Sequence, residues 1–499
     1  MIARTSAVIA AAGLAAGWSV LATQPSVRAA DTVTFSEHVA PIIYAHCASC
    51  HRPGEAAPFP LLTYADAKQR ATLIAKLTAS RRMPPWKAGP SDYEFRNART
   101  LSAADIATLK AWADAGAPEG ETSRAPAPPA FTAGWQLGRP DLVVSMPEPY
   151  TVRADGPDIY RNFVLPLNLP EDTWVSAVDF RPSARSVVHH SLFFLDDTGA
   201  ARMADERDPL PGYSSTMGGS VGLAGLFGLF NGRSGRGGGA GPALGATPDL
   251  SAISRASNNL GGWAVGAQAR ALPDGLAYLV PKGSDLILST HFHPSGKQEQ
   301  EASTVGLYFA KQPPAKKFSG IMLPALFGVF SGIHIPAGDA HYTIDDWFTL
   351  PVDVKAFDVT AHAHYLAKEM TLTATFPDGP VKTLLWIQDW DFSWQDQYAF
   401  KDFVALPKGT VLHASISYDN SSANPRNPNT PPRRVSWGEQ STDEMGSINL
   451  QIVAADEAEL PRLRQSYVEH LRDAALASPD LGRFLQWLNR GRGRRGQRP

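Results

Sequence analysis

Between Asp141 and about Ala455 the chain is written as short apolar runs broken every few residues by Pro, Gly, Asn or Asp, and this texture restricts its fold more than any other feature. LVVSM, WVSAVDF, VVHHSLFFL, LILSTHFH, STVGLYF, FDVTAHAHYL, TLTATF, TLLWIQDW, VLHASISY and INLQIV have the length and residue types of strands. The 42 glycines and 41 prolines supply the turns between them. Strands at this spacing predict antiparallel β-sandwiches, and about 310 residues is enough for two.

The flanks read differently. Within 31–120, FSEHVAPIIYAH and LSAADIATLKAWADAGAP carry helical spacing, with Ser102 placed as an N-cap. Residues 121–138 are Pro/Ala-rich and read as a linker. The Gly/Ser/Ala-rich stretch 211–259 cannot pack a core and reads as a long surface insertion. Helical periodicity returns at ELPRLRQSYVEHLRDAAL, and the tail 456–499 ends in RGRGRRGQRP, a frayed, solvated end. The predicted organisation is therefore a helical domain at 31–120, β-sandwich domains at 139–315 and 316–455, and a short helical tail.

Residues 1–30 have the form of a secretory signal peptide: Arg4, an apolar run from Ala7 to Ala22, and Val27-Arg28-Ala29 as a small-residue cleavage site. The run is short for a membrane span, so the chain is expected to be exported, periplasmic, and in contact with the membrane only while this segment is attached. Lys and Arg number 46 against 48 Asp and Glu, a net charge of −2, which gives no electrostatic case for nucleic acid.

Both cysteines of the chain lie in one motif, Cys47-Ala48-Ser49-Cys50-His51, so no disulfide framework staples it. C-x-x-C-H is the attachment signature of a c-type haem. Thiols one helical turn apart meet the two vinyl groups, and the adjacent His51 supplies the proximal iron ligand. A redox-active C-x-x-C would want a preceding strand within a βαβ unit, which this region lacks. For the second axial position, Met83 in Arg81-Arg82-Met83-Pro84-Pro85-Trp86 is the only methionine of the domain. A thioether there raises the reduction potential. His38 is the weaker competitor, and His46 abuts the motif too closely. The segment resembles a small class I cytochrome c. The expected fold class is thus multidomain, a small all-α cytochrome c domain followed by two consecutive antiparallel β-sandwich domains.

Six of the 13 histidines fall in three groupings on predicted strands: His189-His190, His291-x-His293 and His362-x-His364. Residues i and i+2 of a strand share a face, so H-x-H can hold one ion. Adjacent His189 and His190 can share an ion only at a strand end or bulge. Blue copper and Cys-type zinc are excluded because both thiols are committed to haem. Zinc has no use for electrons, and neither H-x-H has the neighbouring carboxylate of a facial-triad iron site. Imidazole-dominated copper is favoured by elimination.

The order VVHHSLFF, LILSTHFHPSGK, FDVTAHAHYLAKEM, SYDNSSANPRNPNTPP, STDEMGSINLQIV resembles the copper type II, ascorbate-dependent monooxygenase family, which includes dopamine β-monooxygenase and the peptidylglycine α-hydroxylating monooxygenase. The likeness runs through most of 139–455. It implies one copper per sandwich, held by His189, His190 and His291 in the first and by His362, His364 and Met445 in the second, with the oxygen chemistry at the second. By the same resemblance His293 is a polar neighbour, and His334, His341 and His413 are structural. Gly446 stands where the animal enzymes carry a cysteine, and Thr360 where the peptide-amidating branch has an arginine, so peptide amidation is not expected.

The function expected from the sequence is hydroxylation of a C–H bond of a small organic substrate with dioxygen. It would use two copper ions and one covalent haem c, the haem taking electrons from a reductant or redox partner. Two other readings stay open: a periplasmic copper/haem electron-transfer protein without oxygen chemistry, and a metal hydrolase with Glu369 as the nearby carboxylate.

Overall fold

A computed structural model describes residues 32–53, 55, 57–131, 134–214, 259–265, 267–273, 275–438 and 440–482. The expected signal segment 1–30, most of the 211–259 insertion and the basic end of the tail lie outside these residues.

The short apolar runs form strands, and the strands form four principal sheets, the first two interleaved along the chain and the last two likewise. The first joins Leu142–Ser145, Thr304–Phe309, Thr173–Arg181 and Arg270–Ala271, with Tyr278–Val280 also on Thr173–Arg181. The second joins Ile159–Pro166, Asp285–Phe292, Val188–Asp196 and Asn259–Ala264. These two enclose a core that includes Phe163, Phe180, Phe193, Leu288 and Leu307. The third joins Phe318–Leu323, Gly446–Ala454, Val354–Ala363 and Gln397–Leu406. The fourth joins Tyr342–Thr349, Val411–Tyr418, Ala367–Thr375 and Val381–Ile387. A larger core with Val359, Leu372 and Leu450 lies between them.

Alternation decides which residues meet that core. In Val354–Ala363, Val359, Ala361 and Ala363 are buried, while Asp358, Thr360 and His362 share the opposite face. That opposite face looks across to the second sheet, and the two sheets are separated by a cavity of about 1040 Å³ rather than by packed side chains.

The expected multidomain class, with a separate all-α domain leading two sandwiches, is corrected. The chain is mostly β, and its front does not stand alone as an all-α unit. The helices there, Ala40–His46, Tyr64–Lys68, Ala71–Ala79 and Ala103–Asp114, are short and share a small core around Leu109 and Trp112. Ser102 caps the last of them through Asp105 N–H, 3.0 Å away. Between them, residues 85–99 leave the helices and join the β structure.

Ala88 bridges to Ile387 and Phe95 to Phe400, and Gly89 N–H donates to Trp386 O at 2.6 Å. Arg99 pairs with Asp396, and Trp86 meets Tyr398 edge-on at 5.1 Å. The strap thus runs along the terminal strands of two sheets, Val381–Ile387 and Gln397–Leu406, and covers edges that would otherwise offer unpaired backbone groups. Helical periodicity could not reveal this, because Pro84, Pro85 and Pro90 give 83–99 no periodicity at all.

At the other end the helix Leu460–Ala477 buries Leu463, Val468 and Leu471. Tyr467 Oη donates to Met322 O at 2.9 Å, tying this helix to the third sheet. Among the described residues no helix is long and apolar enough to cross a membrane.

Candidate metal centre

His189 and His190 sit near the start of the strand Val188–Asp196, and His291 lies directly across from His190 on Asp285–Phe292. The register shifts between Val188 and His190. That irregularity lets two adjacent side chains turn to one side, which a regular strand forbids. The three rings approach with centroids 4.9–5.3 Å apart. One nitrogen from each lies within 4.8 Å of the others, a spacing that could hold a metal ion.

Tyr160 stacks on His291 at 4.4 Å and fixes its plane. His291 Nε2 is 3.0 Å from Asp158 Oδ2, but the angle is too poor for a hydrogen bond. Both ring nitrogens of this 1% exposed histidine therefore lack a hydrogen-bond partner. A buried polar atom left so costs about 1–3 kcal/mol, and a bound cation would satisfy it. His293 is exposed and bonds Asp158 Oδ1 at 2.8 Å, supporting that carboxylate from outside the cluster.

The second group forms where the third sheet ends. His362 pairs with Ser447 and Ala363 with Gly446, so one further step of register sets His364 opposite Met445. Met445 is 1% exposed and lines the cavity with both histidines. His362 Nδ1–H donates to Gln395 Oε1 at 2.7 Å, and His364 Nδ1–H to Asp443 O at 3.3 Å. Those bonds put the proton on Nδ1 of each ring and leave Nε2 as the lone-pair nitrogen, the tautomer a metal requires. Tyr418 Oη fills the space a Cβ on Gly446 would need and donates to Met445 O at 3.1 Å, so no cysteine fits there.

Glu444 holds this group together. Its buried carboxylate accepts from the backbone N–H of His364 (2.6 Å), Leu366 (2.9 Å) and Met445 (2.8 Å), clamping the two ligand-bearing segments to each other. Burial nevertheless pushes Glu444 up to about 8.

The two groups face each other. His190 and His362 have ring centroids 6.5 Å apart, and Phe392 stacks on His189 at 4.7 Å while meeting His364 at 5.8 Å. Ser441, from the loop before Met445, donates to Asp158 Oδ2 at 2.7 Å, linking the supports of the two groups. Burial lowers His189 to about 3 and His362 to about 4, and holds His190 and His364 well below the usual imidazole range. Neutral imidazoles are what a metal needs, so binding displaces few protons.

The C-x-x-C-H segment fits a haem by its donor chemistry. Cys47 and Cys50 are free thiols. His51 bonds Phe59 O through Nδ1 at 3.0 Å and so presents Nε2 as the lone-pair nitrogen. Burial, with Cys50 adding, pushes the Cys47 thiol up to about 12, so it is protonated before any reaction. His38 is a poor axial candidate, because its Nδ1 accepts from Thr34 N–H at 3.2 Å and Nε2 then carries the proton. Met83, the other candidate, immediately precedes the strap.

Three other histidines are engaged elsewhere: His334 with Ser436 and Asp480, His413 with Asp345, and His470 with Asp346. Glu369 accepts from the Trp386 indole on the fourth sheet and is not among the residues lining the cavity. Sequence reasoning missed Asp158, Gln395, Phe392 and Glu444. Only Glu444, beside Met445, carried a local signal.

No family model and no curated protein matches the chain. Among solved structures, PNGF-II aligns at 11% identity over 63% of this chain and 65% of its own length, with a TM-score of 0.26. An infectious bursal disease virus VP2 subviral particle aligns at 8% over 65% and 74%, TM-score 0.17. A T=1 Penaeus vannamei nodavirus aligns at 9% over 64% and 98%, TM-score 0.16. Similarities this low carry no argument about fold or function.

Proposed function

We propose that the chain is a copper-dependent monooxygenase that hydroxylates a C–H bond of a small organic substrate with dioxygen, its electrons entering through a covalent haem c. The observation that carries this reading is the cavity itself. It is lined by His190, His291, His362, His364 and Met445, donors of two groups that face each other across one space.

Bound copper would supply one-electron chemistry and dioxygen reduction; bound haem would supply single electrons from an external donor. Overall, R–H, O₂, two electrons and two protons give R–OH and water. His189, His190 and His291 would hold one ion in an all-nitrogen set. His362, His364 and Met445 would hold the other, where the soft thioether favours the reduced metal. Cys47, Cys50 and His51 would hold the haem, with Met83 as the second axial ligand. Gln395 and the Asp443 carbonyl keep the ring protons on Nδ1. Phe392 fills space between the groups and limits water there.

The test is dioxygen uptake by the haem-containing, copper-loaded protein under reductant, repeated with Met445→Ala. Uptake coupled to a hydroxylated product and lost in the variant supports the monooxygenase. Uptake indifferent to Met445, or reversible haem reduction with no oxygen consumption, favours an electron-transfer protein.

A further inference from the structure

The cavity extends well past the histidines. Its floor is the face of the third sheet opposite the core, and three successive cross-strand pairs there are polar: His362 with Ser447, Thr360 with Asn449, and Asp358 with Gln451. The alternate residues Val359, Ala361, Ile448 and Leu450 point into the core. On the neighbouring strand Gly320 pairs with Gln451, and a Cβ at Gly320 would come within 2.8 Å of Asn449 Oδ1. A polar ladder along a cavity wall offers its hydrogen-bonding groups to whatever occupies that cavity.

Asp358 stands at the end of the ladder away from the histidines. It is half-buried, and the surface it keeps opens into the cavity. Its Oδ1 has no hydrogen-bond partner. The nearest cation, Arg270, is committed elsewhere: Nη1 donates to Gln397 O at 2.8 Å and Nη2 lies 3.7 Å from Asp396. Tyr278, also on the cavity wall, adds no charge. Burial pushes the Asp358 carboxyl up to about 7, with Arg270 opposing and Asp396 adding to the rise. A carboxylate held so, without a counter-charge, is completed by an incoming cation.

We propose that Asp358 anchors the cationic group of an extended organic substrate, a protonated amine or amidine, whose chain lies along the ladder towards His362. Four residues of strand at about 3.4 Å each separate the two positions by roughly 13 Å. The cation and the oxidised carbon are therefore separated by on the order of 10 Å once side-chain reach is allowed for. A cation carried on the carbon next to the oxidised one cannot serve both ends. That the ligand is a substrate rests on the function proposed above; that the subsite takes a cation does not, because no metal takes part in it.

The experiment titrates the metal-free full chain calorimetrically at pH 8.5 with n-heptylamine and n-heptanol, then repeats both with Asp358→Asn. Heptylamine is expected to bind at least about tenfold tighter than heptanol to the native chain, and D358N to erase the difference without weakening heptanol. Equal affinities in the native chain, or an amine preference that survives in D358N, overturn the proposal. If D358N does not fold, a series from propylamine to nonylamine on the native chain decides. Affinity should rise with length, and a preference already complete at propylamine overturns the placement along the ladder. Failure to load copper would sink the monooxygenase and leave these titrations standing.

Discussion

Acid should destabilise the metal-free protein steeply, and the histidine groups set the size of the effect. Folded His189 and His362 are lowered to about 3 and about 4, and His190 and His364 lie well below the ordinary range, in each case chiefly through burial. In the unfolded chain each titrates near 6.5. A folded pKa depressed below the unfolded one means that the unfolded state binds more protons as pH falls. The stability is present above about 6.5 and is lost as pH drops towards 4 and 3. At about 1.4 kcal/mol per unit, moving from 6.5 to 5 costs about 2 kcal/mol for each of His189 and His362, or about 4 kcal/mol together, and His190 and His364 add in the same direction. A typical domain has about 5–15 kcal/mol in all, so the metal-free chain should lose a large share of its stability by pH 5. Urea denaturation at pH 7.5, 6.5, 5.5 and 5.0 measures this, and the pH dependence of the unfolding free energy should correspond to at least about two protons taken up on unfolding. The double variant His362→Gln/His364→Gln should lower that slope by about one proton or more. Uptake of fewer than one proton, or a slope unchanged in the double variant, would refute the reasoning.

Three further outcomes are expected. Glu444→Ala strands three buried N–H donors at about 1–3 kcal/mol each, so it should cost on the order of 5 kcal/mol in urea denaturation, with Glu444→Gln clearly milder. Gln395→Ala removes the acceptor for His362 Nδ1 and should weaken copper at that group about 10- to 100-fold in competition titrations, leaving the His189/His190/His291 group unchanged. Arg99→Ala breaks a mostly buried pair with Asp396 and should cost about 3 kcal/mol; amide exchange should rise first along Gln397–Leu406, the edge the strap covers.

The strands were legible because alternation is local: VVHHSLFF and FDVTAHAHYL announce both the strand and the histidines on it. The pairing of His189 with His190 at a strand irregularity followed from their adjacency alone, since no regular strand turns neighbours to one side. Met445 was legible only through a family resemblance, because a lone methionine before a strand has no local mark. Gln395 lies 33 residues from His362 and Asp158 lies 133 from His291, so their roles exist only once the sheets have formed. The front of the chain misled for the same reason. Capped helices such as Ala103–Asp114 suggested an independent all-α unit, whereas Ala88, Phe95 and Arg99 bind partners about 300 residues away. Asp358 showed nothing in sequence, since an aspartate on a strand is usually solvated.

The most direct measurement is copper per haem, with the optical and electron paramagnetic resonance spectra, on protein matured with haem and then loaded with copper. The account predicts one haem and two coppers, falling to one copper in Met445→Ala or in His189→Ala/His190→Ala, with the haem spectrum unchanged in both. One copper or none in the native chain, or two that persist in Met445→Ala, would contradict it.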